Sequence, residues 1–182
     1  MVGIRVMTGL LVLLVALSAC GGTTGTAEPP AAPPATSQPR PSASAGAEVA
    51  EQLNFTAKTV DGEDISGADL AGKPAVLWFW APWCPKCQRE APGMAAAAKE
   101  HAGDVTFLGV AALDQVPAMK QFVQKYGLQS FQHVADVGSA VWKRFGVTAQ
   151  PAYAFVSADG RVEVVTSQLA EQDLRQRLSA LG

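Results

Sequence analysis

Apolar positions fall into two regimes along the chain. Residues 6–17 are almost continuously apolar, with a single basic residue, Arg5, ahead of them. From about residue 53 onward, short apolar runs alternate with stretches of helical period. Residues 53–58 read as a strand that reaches Asp61-Gly62, a hairpin signal, before a second short strand at 63–66. Residues 75–80, Ala-Val-Leu-Trp-Phe-Trp, are apolar without a break and suit a strand buried on both faces. Residues 84–100 are helix-compatible, and Pro92 is expected to kink that helix without ending it, because an Ala-rich pattern continues to residue 99. Residues 105–111 form the next apolar strand. Met119, Phe122, Val123 and Tyr126 have helical spacing over 117–126, closed by Gly127. A short strand at 131–134, a helix at 139–145 stopped by Gly146, strands at 152–156 and 162–166 joined through Asp159-Gly160, and a terminal helix at 171–181 complete the series. The alternation predicts an α/β fold with a mixed central β-sheet flanked by helices and an N-terminal β-hairpin extension.

The N-terminal run is too short for a membrane span of roughly 20 residues and has the length of a signal-peptide core. It ends in Leu17-Ser18-Ala19-Cys20-Gly21-Gly22, which resembles the bacterial lipobox. That resemblance implies cleavage before Cys20 and lipidation of its thiol; the alternative is an ordinary secretory signal that leaves Cys20 as a stray thiol. A diacylated cysteine with a fatty amide carries more than one chain, which is what stable anchoring requires. Residues 21–48 hold six of the twelve prolines (Pro29, Pro30, Pro33, Pro34, Pro39 and Pro41) among Gly, Ala, Ser and Thr. With no periodic apolar positions to offset ordering entropy, this segment reads as a disordered tether, about 30 Å end to end as a coil. The organisation is therefore a signal peptide at 1–19, a lipidated cysteine and tether at 20–48, and one folded domain at 49–182. Without residues 1–19 the chain carries 13 basic and 16 acidic side chains, a mild acidity with no basic stripe for nucleic acid.

Three cysteines are present. With Cys20 assigned to the anchor, Cys84 and Cys87 remain, one helical turn apart in Trp83-Cys84-Pro85-Lys86-Cys87, directly after the apolar strand. They read as a dithiol redox pair that needs no cofactor and no metal. Cys84 falls at the start of a helix, where unpaired N–H groups and the helix dipole stabilise a negative sulfur. This makes Cys84 the sulfur that attacks or is attacked and Cys87 the deeper, resolving thiol. Pro85 fits the first helical position without losing a needed hydrogen bond. Lys86 places a cation near the thiolate, or else is a solvated surface lysine; a more stable thiolate makes the disulfide form the stronger oxidant. Glu90, one turn beyond Cys87, is a candidate proton acceptor, its alternative being a solvated helix residue. Trp80 and Trp83 are candidates for an apolar rim beside the sulfurs, although an aromatic in such a strand is more often core. His101 and His133 read as surface histidines. A peroxidatic cysteine would need a threonine-containing turn that Ala81-Pro82-Trp83 lacks. Cys84, Cys87 and His133 together would suit Cu(I), a weaker alternative because Pro85 stiffens the pair.

Several motifs in order extend this reading: Asp61-Gly62, Gly72-Lys73-Pro74, Phe79-Trp80-Ala81 running into the cysteine pair, Pro92 five residues after Cys87, Phe145-Gly146-Val147 leading to Pro151, and Asp159-Gly160. Over residues 53–181 the chain resembles the thioredoxin-fold family, in its membrane-tethered TlpA/ResA/DsbE-like branch, nearest the actinobacterial DsbE and DsbF lipoproteins. The resemblance implies that Pro151 is the family's cis-proline and that Gln150 faces substrate together with Trp83; the alternative is a trans proline in a plain loop. It also exposes a departure, since Trp78 stands where thioredoxin has a buried aspartate. The Cys87 proton then has to pass to Glu90, water or substrate. The implied function is an extracytoplasmic thiol-disulfide oxidoreductase, monomeric, recycled by a membrane redox partner and acting as an oxidase of exported Cys-containing proteins. The alternative direction is reduction of envelope disulfides, as on apocytochrome c in cytochrome maturation.

Overall fold

The structure, a computed structural model, describes residues 50–181. The N-terminal apolar run, Cys20 and the Pro-rich segment lie outside the described residues. At the centre is β3 (Ala75–Trp80), whose six residues are all buried, as an unbroken apolar run requires of a strand covered on both faces. It is flanked by β4 (Thr106–Ala111), parallel to it, and β6 (Ala152–Val156), antiparallel. The edges are β5 (Gln132–Ala135), parallel to β4, and β7 (Val162–Val165), antiparallel to β6. The sheet order is β5-β4-β3-β6-β7.

Alternation along β3 divides the core in two. Val76, Trp78 and Trp80 share one cluster with Cys87, Ala91, Met94 and Ala98 of α1 (Pro85–Glu100), with Met119 and Phe122 of α2 (Val116–Lys125), and with Leu174 and Leu178 of α4 (Glu171–Ser179). Ala75, Leu77 and Phe79 share the other with Val141 and Trp142 of α3 (Ala140–Arg144). Period two in the strand thus assigns helices to both faces. The buried stripe of α1 consists mostly of alanines, which lets its backbone approach the bulky tryptophans of β3. As expected, α1 continues through Pro92 to Glu100.

A separate hairpin, β1 (Thr56–Lys58) with β2 (Asp64–Ser66), precedes the sheet. It is tied to the β5 edge by the Val60 N–H, which donates to the His133 carbonyl at 2.7 Å, and by a bridge between Thr59 and Val134. The first strand is shorter than 53–58. Residues Glu51–Leu53 form a 3₁₀ turn, and Leu53 and Phe55 turn inward as core residues, so pairing starts only at Thr56.

Candidate functional site

Because β3, β4 and β5 are mutually parallel, their carboxyl ends share one edge of the sheet, and antiparallel β6 begins at that same edge. Four residues after β3 comes Cys84, and immediately before β6 comes Pro151. The Gln150–Pro151 peptide is cis. Register places Phe79 opposite Ala152, which brings the loop carrying Gln150 and Pro151 beside the one carrying the cysteines. Pro151 is buried and Gln150 half-buried.

Cys84 is the N-cap of α1. Its backbone is extended (φ −76°, ψ 115°), its carbonyl accepts from the Gln88 N–H at 3.0 Å, and its Sγ accepts from the Cys87 N–H at 3.2 Å. The sulfur therefore occupies the position where a cap supplies an acceptor to an otherwise unpaired helical N–H, and negative charge there is favoured by the helix. Pro85 follows at the first helical position, where it has no N–H to lose. Both thiols are free. Cys84 keeps 3 % exposure and Cys87 none. Burial, then the contact with Cys84, pushes the Cys87 thiol well above the ordinary range; the Ala81 backbone pulls it part of the way back, and the charges of Cys84 and Glu90 add smaller upward pushes. Cys87 is thus held as a thiol and needs a base when its sulfur must react. Lys86 is exposed and makes no ion pair among the described residues.

Glu90 is not a solvated helix residue. It is half-buried on the Cys87 face of α1, and the Trp78 Nε1–H donates to its Oε2 at 3.3 Å. Its Oε1 is buried without a hydrogen-bond partner among the described residues. Burial raises the carboxyl above the ordinary carboxylate range; the Tyr153 phenol, the Trp78 indole, the Leu169 backbone and Arg89 draw it part of the way back. The Tyr153 phenol is itself pushed up by burial and by the charge of Glu90. Tyr153 escaped sequence reasoning because its proximity to Glu90 depends on β6 lying beside β3, where it pairs with Trp78.

Two aromatic expectations separate. Trp80 belongs to the core, with no exposure and its ring stacked on Phe122 at 4.3 Å, because even-numbered residues of β3 point into the face covered by α1 and α2. Trp83 instead stays at the surface: it is 53 % exposed, and its indole N–H donates to the Leu113 carbonyl at 3.0 Å. Leu113, itself 46 % exposed, holds a left-handed backbone (φ 61°) that leucine adopts only at a cost. Nothing in the local sequence marks Leu113; its place follows from β4 ending next to β3.

His133 corrects a further expectation. It is 2 % exposed, not a surface histidine, with Nε2 bonded to the Leu128 carbonyl at 3.0 Å and its ring edge-on to Trp80. The space it fills exists because its cross-strand neighbour is Gly109, where a Cβ would lie 1.9 Å from His133 Nδ1. His101 is half-buried at the C-cap of α1. The trio required for a copper site is not assembled: among the described residues no three His, Cys, Asp or Glu side chains group to hold a metal ion. A cavity of about 810 Å³ between β7 and α4, lined by Phe155, Leu169 and Leu181 among others, includes none of these residues.

The AhpC/TSA family profile matches residues 49–165. The soluble secreted antigen MPT53 of Mycobacterium bovis is 44 % identical over 134 residues, spanning 72 % of this chain and 76 % of that protein. The thiol-disulfide oxidoreductase ResA of Halalkalibacterium halodurans is 33 % identical over 124 residues, spanning 67 % and 70 %. Among solved structures, MTB dsbF, seen in mixed oxidised and reduced forms, superposes with a TM-score of 0.73 at 55 % identity, covering 74 % of this chain and 100 % of that one. A secreted Mycobacterium tuberculosis disulfide oxidoreductase homologous to E. coli DsbE superposes with a TM-score of 0.69 at 43 % identity, covering 72 % and 98 %. With the α/β sheet and the capped cysteine pair, these likenesses establish that the chain belongs to the AhpC/TSA family, as a thioredoxin-fold thiol-disulfide oxidoreductase of the DsbE/DsbF/ResA type.

Proposed function

We propose that the chain is an extracytoplasmic disulfide oxidase of exported Cys-containing proteins, working through Cys84 and Cys87 and anchored to the membrane by a lipid on Cys20. One observation carries the direction: Cys84 Sγ caps α1, so the helix stabilises its thiolate, and a stabilised reduced form makes the disulfide the stronger oxidant. Lys86, at the second helical position, adds positive charge on the same side, and Pro85 keeps the loop stiff. The reaction begins when a client thiolate attacks Cys84 Sγ of the oxidised pair. The Cys84–Cys87 bond breaks, Cys87 leaves with the electron pair, and protonated Glu90 supplies its proton. A second client thiolate then attacks the client sulfur of the mixed disulfide, forming the client disulfide and releasing the Cys84 thiolate. Two electrons pass from client to enzyme, and a membrane redox partner removes them. In the reverse direction Glu90 accepts the Cys87 proton. Client backbone lies along Gln150 and Pro151, with Trp83 as its apolar support.

Export is supported by the description of MPT53 as secreted and by the lipobox-like sequence at Cys20. Equilibration against glutathione buffers tests the direction: the oxidase reading expects a potential well above that of thioredoxin, and a value near about −270 mV overturns it in favour of a reductase. Replacing Cys87 with Ser is expected to trap client proteins on Cys84 as mixed disulfides, seen as adducts that a thiol reductant dissolves. Absence of such adducts would remove Cys84 as the attacked sulfur.

A further inference from the structure

The buried end of the site holds an aromatic that the thiol chemistry does not itself require. Trp78 is fully buried in the central strand, stacked with Trp80 at 5.8 Å and tilted against Phe122 at 6.3 Å. Its rotamer is therefore set by packing, and its one polar atom, Nε1, points at Glu90 Oε2 from 3.3 Å. An indole is a donor only, so this contact favours the carboxylate over the acid. Glu90 stands three residues from Cys87 on α1, the spacing that places two side chains on one helix face. The rest of its surroundings are the Tyr153 phenol from β6, the Leu169 backbone ahead of α4, and Arg89 and Cys87 on α1 itself. Of these, Trp78 is the fully buried side chain whose N–H makes a hydrogen bond to the Glu90 carboxyl. Trp80 Nε1, two residues on, is buried with no hydrogen-bond partner among the described residues, so the pairing of Trp78 is not a general property of the indoles in this strand.

We propose that Trp78 is the positioning residue of the resolving step: its indole N–H holds the Glu90 carboxylate beside Cys87 in the ionised, proton-accepting orientation. This rests on the reading of Glu90 as the Cys87 base. In the step concerned, Cys87 gives its proton to Glu90, Cys87 Sγ attacks Cys84 Sγ of a mixed disulfide, the Cys84–Cys87 bond forms, and the outer sulfur leaves as a thiolate with the electron pair. Without the indole, the carboxyl loses its fixed donor and is neutral to a higher pH, so the acceptor becomes available later on the pH scale.

Stopped-flow reaction of the reduced full-length chain with 5,5′-dithiobis(2-nitrobenzoate) separates the steps. Cys20→Ser is included throughout so that only the pair reacts. The first thionitrobenzoate released reports Cys84 attack, and the second reports displacement by Cys87. Glu90→Gln is expected to slow the second phase at least tenfold at neutral pH and leave the first unchanged. Trp78→Phe, which keeps the ring and removes the donor, is expected to shift the pH midpoint of the second phase upward by about one unit. The double variant is expected to match Glu90→Gln, since an effect exerted through Glu90 cannot add to its loss. An unchanged second phase in Glu90→Gln overturns the base reading and this proposal with it. A slowed Glu90→Gln beside a Trp78→Phe midpoint equal to that of the parent overturns the positioning role alone. Should Trp78→Phe fail to unfold cooperatively, NMR of the unaltered site decides: the Trp78 indole N–H resonance is expected to move with pH in step with the second phase and to stay fixed in Glu90→Gln. A resonance that ignores pH in both overturns the proposal.

Discussion

His133 has been pushed down to about 4 by its burial, against the opposing pull of the Leu128 carbonyl. Its lowered value means that between pH 6.5 and 4 the unfolded chain binds a proton that the folded chain refuses, so stability falls as pH falls through that window. The loss is about 3 kcal/mol for a shift of this size. Glu90 has the opposite sign: with its carboxyl raised, its protonated form suits the fold, and stability is lost as pH rises above the ordinary carboxylate range. Urea unfolding of the parent and of His133→Gln at pH 7 and pH 4 isolates the histidine, because the Glu90 contribution is common to both. The parent is expected to lose more stability on acidification than the variant. Equal losses would mean that His133 is protonated within the fold. None of this is legible locally, since the residues around His133 in sequence are those of any edge strand.

At the scale of elements, the strands and helices were legible because each is written in a short-range code: an unbroken apolar run for β3, helical spacing for α2, an Asp-Gly turn between β6 and β7. The cap of α1 was legible too, since Cys-Pro at a strand-to-helix junction permits few alternatives. What the code omits is which strands become neighbours. Gly109 in β4 gains its meaning only from the cross-strand row Tyr153, Trp78, Gly109, His133, in which it is the one position without a side chain. Gly109→Ala is expected to destabilise the domain by about 1 to 3 kcal/mol, because the backbone or the imidazole must move to admit the methyl group. A fall in the midpoint of thermal unfolding checks this, and an unchanged midpoint would show that His133 shifts freely. The same dependence on neighbours explains why Leu113 and Tyr153 joined the site unannounced while Trp80 withdrew from it into the core.

For the whole molecule, the parallel run β3, β4, β5 collects three carboxyl ends at one edge, and β6 returns to that edge antiparallel, so cysteines and Pro151, more than 60 residues apart in the chain, converge. A site built this way sits on strand ends braced by a fully buried centre, which suits a reaction between sulfurs that must meet in line. The anchor proposed at Cys20 would keep this site near the membrane. Mass spectrometry of the protein extracted from membranes is expected to show a chain that starts at Cys20 and carries a diacylglyceryl group and a fatty amide. An unmodified Cys20 would overturn lipid anchoring.

By itself the sequence determined the element order, the α/β class, and the placing of Cys84 at a helix start with Cys87 one turn further on. These depend on periodicity, on turn residues and on where a helix begins, and all of them act over a few residues. Only the tertiary structure decided the surroundings of that pair: that Glu90 is sheltered and held by Trp78, that Tyr153 faces it, that Trp83 rests on Leu113, and that His133 is buried against Gly109. The reason is physical. A side chain's charge state and partners are set by what desolvates it, and desolvation comes from strands and helices far away in the chain.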